Sequence, residues 1–579
     1  MLETWSKWML LAALVGAVAC GEDGLDGLDG ADGAPGMDGT DGTDGTDGTD
    51  GTDGTDGTDG NDGQDGRDAA PSGIFLNFVG VYETGVFDDG ASEIVVFDAT
   101  TNNVLVINAN AGVVDVVDAS DPSTPTLTTS LDPSADVTGF GVGGVNSVAV
   151  ANGIAAVAVE ADTSTDDGVI AFYQTSDNAF LGSVGVGALP DNVIFTPDGN
   201  TVLVANEGEV DIEAMVDPEG SVSIIDVSGG DFSALTATTL DFTAFNASEA
   251  ALVEAGVRKI GNGPGFANTL SQDLEPEYIA TNGELAWVTL QDNNALAIVD
   301  LATPAIVDVL PLGLKDYSIP GNEIDASDRD DRINIRNWPV FGMYQPDTIA
   351  HYVANGQPYL ITANEGDARD DSGDESRLDD VTLDPTIFPD AATLQRDENL
   401  GRLEVSTLSS DPDGDGTAER IVSFGARSFS IWDGLTGELV FDSGNDLEVI
   451  TARRLGTLGF NANNDENGFD SRSDAKGPEP EAVTTGVVNG RTYAFIGAER
   501  VGGVFVYDVT HPESPRFVQY VSRRDYALSD VEGMLSSAGD LGPESIAFVP
   551  AADSPTSEPL VIVGNEVSGT TSFWSITTP

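Results

Sequence analysis

From Ile74 onward, short apolar runs rich in Val and Ile alternate with clusters of Gly, Asp, Asn and Pro, and they recur as a set. The first run of each set reads "SEIVVFD", "VNSVAVANG", "LPDNVIFTPDG", "EPEYIATNG", "QPDTIAHYVANG", "EPEAVTTGVVNG" and "GPESIAFVPAAD". A second run follows each: "NVLVINA", "IAAVAVEA", "TVLVANEGE", "LAWVTLQDNN", "PYLITANEGD", "TYAFIGAER" and "PLVIVGNEVSG". A third usually ends in Asp, as in "VVDVVD", "SVSIIDV", "ALAIVDL", "SFSIWDG" and "VFVYDV". Runs of this length between turn formers read as strands. Helical periodicity is weak apart from a short helix near "ASEAALVEAGVRKI". Radial repetition of four-stranded sheets predicts an all-β chain folded as a seven-bladed β-propeller over residues 74–579. Surplus strands in Gly401–Gly444, "GRLEVSTL" and "ERIVSFG", leave room for an eighth blade. The last set stops at a third strand, "TTSFWSI", whereas "IFLNFVGVYETG" near residue 74 has no set of its own. It is expected to complete the last blade and so remove an exposed edge.

One residue per blade then acquires meaning. The first strands open with Glu93, Asn146, Asp191, Glu277, Asp347, Glu481 and Glu544; the second strands end with Asn108, Glu160, Glu207, Asp292, Glu365, Glu499 and Glu566. Antiparallel pairing puts both sets at one mouth of the central channel. So many carboxylates stay ionised together only if cations neutralise them. Glu277, Asp347, Glu365, Glu481 and Glu544 are therefore candidate ligands for a divalent or trivalent metal, or else acceptors of neighbouring backbone N–H groups. The long insertions gather at the same face and carry Lys315, Arg329, Arg332, Arg369, Arg427, Arg472, Lys476 and Arg500. These either balance the acidic ring or form an anion pocket for a phosphate-containing ligand, with Lys315, Arg369, Arg427, Arg472, Lys476 and Arg500 as its candidates. His351 and His511, the two histidines, fall mid-strand and in a turn, and suggest no nucleophilic triad.

"DPDGDGTAE" is sharper. Asp411, Asp413, Asp415 and Glu419 follow the spacing of a calcium loop, with Gly416 at the turn. A Glu at the twelfth position is missing, so the pattern is a calcium hairpin rather than an EF-hand. Ca²⁺ is the cofactor expected there.

Residues 1–19 read as an export signal: a short polar start with Lys7, then an apolar run too short to span a bilayer. The run ends at Cys20, the one cysteine of the chain, in "AVAC", the context of a bacterial lipoprotein. Lipidation of Cys20 would tie the chain to the outer membrane or cell surface of a bacterium through lipid alone. Between Cys20 and residue 73 lies a Gly-x-Asp stalk with Gly at every third place from Gly21 to Gly66. Collagen needs that period, but Pro35 is the only proline within it and Asp dominates. The tract is a self-repelling spacer or a collagen-like trimer; a calcium β-roll would need an apolar position in a nine-residue repeat. Residues 21–68 span about 40 Å as a coil and about 150 Å as extended polyproline II. A formal charge of −75 repels nucleic acid and anionic lipid and favours divalent cations.

The runs "EPEYIA", "TLQDNNALAIVDL", "DASDRDD", "NWPVFGMYQPD", "TANEGDARD", "GARSFSIWD", "DSRSDAKGPEPEAV" and "GPESIAFVPAADSP" together resemble the choice-of-anchor I family, from about Ala91 to Pro579. That family is similar to the mesenchyme-specific cell surface glycoproteins of calcifying animals, and some bacterial relatives carry the label of atypical alkaline phosphatases. The resemblance implies an extracellular propeller held by one of several anchors, here Cys20. Two functions follow as expectations. One is a lipid-anchored, calcium-binding propeller with a binding or structural role. The other is a metal-dependent phosphoesterase that uses the ring carboxylates as ligands and the arginines as phosphate clamps.

Overall fold

The computed structural model describes residues 73–263, 266–369 and 372–579. The expected export signal, Cys20 and the expected stalk up to residue 72 lie outside these residues. The described strands form seven four-stranded sheets and one of five strands. The seven innermost strands begin at Val95, Val142, Pro190, Ile279, Ile349, Pro480 and Pro543, and each packs beside the next, the last against the first. These are seven blades around a channel. The ring closes as the pattern predicts: Phe75–Glu83 pairs antiparallel with Thr570–Thr577, so the seventh blade is built from both ends of the propeller.

The unbroken apolar runs have a direct cause. A blade is buried on both faces, so successive side chains of one strand enter two different cores. In Thr201–Asn206, Leu203 and Ala205 pack toward the fourth blade, and Val202 and Val204 toward the second. Such a core fills each of the seven clefts, including that between the seventh blade and the first, where Val104 and Val106 meet Leu560 and Ile562.

The surplus strands do not make an eighth blade. Leu314–Asp316, Phe341–Met343, Val422–Ser423, Glu404–Ser406 and Glu375–Arg377 form the five-stranded side sheet. It has its own core of Tyr317, Trp338, Leu378, Leu400, Leu403 and Ile421. The fifth blade takes its outer strands, Ser428–Asp433 and Leu439–Asp442, from beyond this insertion. The short helix expected in the fourth-blade approach is Glu249–Ala255.

Candidate functional site at the channel mouth

Five blades open with the same three residues, X-Pro-acid: Leu189–Pro190–Asp191, Glu275–Pro276–Glu277, Gln345–Pro346–Asp347, Glu479–Pro480–Glu481 and Gly542–Pro543–Glu544. In four of them X has positive φ: 47° at Leu189, 39° at Gln345, 51° at Glu479 and 67° at Gly542. Three of those are not glycine, a strain that persists where the surroundings over-determine it. What holds it is repeated too. The carbonyl of X accepts the N–H of the residue that ends or follows the second strand: Glu207 to Leu189 at 2.9 Å, Gly366 to Gln345 at 3.1 Å, Glu499 to Glu479 at 2.8 Å and Glu566 to Gly542 at 2.8 Å. The pairing register slips just after the proline in the third, sixth and seventh blades, so the acid sits in a bulge. Bulges re-aim side chains, and here they gather the acids.

The gathered acids perturb one another. Burial first, then Asp347 and Glu207, raise Glu277 well above the ordinary carboxylate range. Burial, then Glu365 and Asp191, do the same to Asp347. Glu481 is raised by burial, Glu544 and Glu365, and Glu544 by burial and Asp347, while the Glu481 carboxyl is hydrogen-bonded to Glu544. Burial pushes Asp191 up to about 6, and burial with Asp191 pushes Glu93 up to about 7. Glu277 and Glu481 each keep a buried carboxylate oxygen without a hydrogen-bond partner. The channel holds a cavity of about 410 Å³ to which every blade contributes, the fourth and fifth through Tyr278 and Thr348, just before their innermost strands, and the seventh through Glu544 among others.

The cations of the insertions are engaged by acids. Lys476 meets Glu365 at 2.7 Å and Glu479 at 3.4 Å. Arg472 reaches Glu479 at 2.6 Å; Arg500 reaches Glu479 and Glu499, each at 3.0 Å. Burial alone would push Glu479 up, but Lys476, Arg472 and Arg500 outweigh it and hold the carboxyl at about 2. Glu365, Glu479 and Glu499 have oxygens within 4.8 Å of one another, but these three cations already fill that knot. Arg369 is buried among Asp273 at 3.1 Å, Asp292 at 2.8 Å and Glu275. Lys315 meets Asp442 at 2.8 Å, and Arg427 meets Glu448 at 2.7 Å with further donors on the carbonyls of Asp325, Ser473 and Ala475. So the six cations expected to face an anion all have carboxylate partners inside the fold. Arg329 and Arg332 pair locally with Asp328 and Asp330. His351 stacks on Trp287 with ring centroids 5.3 Å apart, and burial lowers its pKa, which keeps it neutral.

Sequence reasoning passed over Glu275 and Glu479. The repeated "EPE" was visible, but only the second acid of each matched the blade pattern. The first acid, two residues earlier, turns to the insertions and takes their arginines.

The peripheral hairpin is a different kind of site. Oxygens of Asp411, Asp413, Asp415 and Glu419 lie within 4.8 Å of one another. Gly414 and Gly416 turn the chain at φ 70° and 92°. Asp411 accepts the N–H of Gly414 at 2.9 Å, of Asp415 at 3.1 Å and of Gly416 at 2.8 Å, which pre-forms the loop. Glu419 Oε2 is buried without a partner, and its carboxyl is raised by burial and then by the three aspartates. An all-oxygen set of this density fits Ca²⁺.

A family model for the choice-of-anchor I domain matches residues 93–512, most of the chain. The chain belongs to the choice-of-anchor I family. In this family member, residues 18–73 also match the collagen triple helix repeat. The choice-of-anchor I chain is similar to gigasin-3a of Magallana gigas, 30% identical over 192 residues that cover 32% of this chain and 67% of the relative. It is also similar to the mesenchyme-specific cell surface glycoprotein of Strongylocentrotus purpuratus, 29% identical over 288 residues, 42% of this chain and 36% of the relative. The matches thus span about two thirds of one curated relative and about a third of the other. Among solved structures, a chain of Kuenenia stuttgartiensis hydrazine synthase aligns with 86% of this chain and 99% of its own at 12% identity, with a TM-score of 0.42. The propeller assignment itself rests on the closed ring of sheets.

Proposed function

We propose that this choice-of-anchor I chain is a lipid-anchored, calcium-binding propeller of the cell surface, with a binding or structural role. The observation that carries the reading is the hairpin: four carboxylates within 4.8 Å, two glycines at positive φ and one buried oxygen left unpartnered. Asp411, Asp413, Asp415 and Glu419 would hold the ion, which would supply charge neutralisation and rigidity rather than chemistry. The cell-surface name of the sea-urchin relative supports the location. Cys20 would be the anchor and the Gly-x-Asp tract the stalk that holds the propeller off the membrane, as a trimer if the stalk winds into a triple helix.

The second reading, a metal-dependent phosphoesterase at the channel mouth, draws on the unpartnered oxygens of Glu277 and Glu481. It needs a clamp for the phosphate, and the basic side chains that would form one are committed to Glu479, Glu365, Asp292, Asp442 and Glu448. The test joins calcium titration with hydrolysis assays on phosphate mono- and diesters. Calcium binding that Asp413→Asn weakens, with no turnover, is the expected result. Turnover that Glu481→Gln abolishes would replace the first reading by the second. Cys20→Ser is expected to release the chain from membranes, and a variant that still partitions with them refutes the anchor.

A further inference from the structure

A second set of buried oxygens lies where three remote segments meet: the loop holding Asp325, the helix Asp446–Leu455 and the loop Asn461–Ser473. Glu448 joins the first two, accepting the Asp325 N–H at 2.9 Å. It also accepts Asn461 Nδ2 at 3.2 Å, and Asn461 Nδ2 donates to Ser473 Oγ at 2.8 Å. Ser473 in turn donates to Asp470 Oδ1. Asp325, Glu448, Asn461, Asp470 and Ser473 are all buried, none above 3% exposure.

This closed network leaves one oxygen on each of three side chains unused. Asp325 Oδ1, Asn461 Oδ1 and Asp470 Oδ2 are buried and have no hydrogen-bond partner. Buried polar atoms are almost always satisfied, so three orphan acceptors bound into one network call for a further partner there. The backbone has been bent to present two of them: φ is 42° at Asn461 and 68° at Asp470. The loop is fixed in that shape by Asp470 N–H to the Phe460 carbonyl and Arg472 N–H to the Asn461 carbonyl, both 2.9 Å.

Charge points the same way. Arg427 neutralises Glu448 at 2.7 Å, and the nearby Asp330 pairs with Arg332. The carboxylates of Asp325 and Asp470 remain uncompensated, and two buried like charges are costly. A proton is the competitor: burial and Asp325 push Asp470 up to about 9, and burial and Glu448 push Asp325 up to about 7. One proton makes a single O–H donor among three orphan acceptors, so at least one of the three oxygens stays unmet. A hard divalent cation held by these three oxygens would cancel both charges.

We propose that Asp325, Asn461 and Asp470 form a structural Ca²⁺ site that pins the insertion after the fourth blade to the one before the sixth. The site is separate from the hairpin and from the channel mouth, and it would lock the loop that delivers Arg472 and Lys476 to Glu479.

The experiment uses the full chain with the hairpin inactivated by Asp413→Asn and Asp415→Asn. Equilibrium dialysis against Ca²⁺ should still find a bound ion, and chelator should lower the melting temperature. Adding Asp470→Asn should lose both the ion and the response to chelator while the cooperative melt persists. If that variant does not fold, Asp325→Asn takes its place with the same two readings. A hairpin-inactivated protein that holds no Ca²⁺ overturns the proposal, as does a folded Asp470→Asn variant that keeps the ion. Failure of the hairpin reading alone would show differently, as equal binding by the wild type and the hairpin-inactivated protein.

Discussion

Replacing Glu479 by Gln tests whether the ion-pair knot, rather than the packing of the blades alone, holds the channel mouth. The side chain of Glu479 is fully buried and meets Arg472 at 2.6 Å, Arg500 at 3.0 Å and Lys476 at 3.4 Å. Its carboxyl is held at about 2 against an ordinary 4.5. That gap corresponds to roughly 3 kcal/mol at about 1.4 kcal/mol per pH unit. Glu479→Gln takes from Arg472 its salt-bridge partner, while Lys476 keeps Glu365 and Arg500 keeps Glu499; removing one partner of a buried pair independently suggests about 3–5 kcal/mol. The sign follows from the depressed pKa. The stabilisation is complete above about 4.5 and is lost as pH falls toward about 2. Urea denaturation of wild type and Glu479→Gln at neutral pH should therefore differ by roughly 3 kcal/mol, and the difference should shrink to about half by pH 3. Carboxylates remote from the knot titrate alike in both proteins, so the difference between them reports on Glu479 and the acids it touches, Glu499 among them. A gap under about 1 kcal/mol at neutral pH, or one that does not narrow in acid, refutes the reasoning.

Glu93 should behave in the opposite sense. Its folded pKa is raised from 4.5 to about 7 by burial and Asp191, so its contribution is full below about 4.5 and is lost as pH rises through about 7; Glu93→Gln should flatten that part of the melting-temperature profile between pH 5 and 8. Deleting Phe75–Glu83 should expose the hydrogen-bonding edge of Thr570–Thr577 and the core around Trp574, and light scattering should detect self-association in place of a monodisperse propeller. Gly416→Ala meets no neighbouring atom but sits at φ 92°, so it should cost about 1 kcal/mol through backbone strain and weaken calcium binding by titration, leaving the Glu479 knot unchanged.

The sequence by itself determined the propeller. Seven repeats of doubly apolar strands can be buried on both faces only between neighbours, and an unpaired first strand with an unfinished last blade leaves one economical closure. It also placed Glu277, Asp347, Glu481 and Glu544 at one mouth, because antiparallel pairing fixes which strand ends share a side. The hairpin was legible for the same reason: its four acids lie within nine residues, and local spacing sets their geometry. The tertiary structure alone decided where the cations go. Arg369 is remote in sequence from Asp273, Glu275 and Asp292, Lys315 from Asp442 and Lys476 from Glu365, and no periodicity links an insertion to a blade. It also decided that the surplus strands build a side sheet, since Phe341–Met343 pairs in parallel with Val422–Ser423 across a stretch of chain that holds the two inner strands of the fifth blade. Contacts between segments that far apart depend on the packed core beneath them, and that core exists only once the ring has closed.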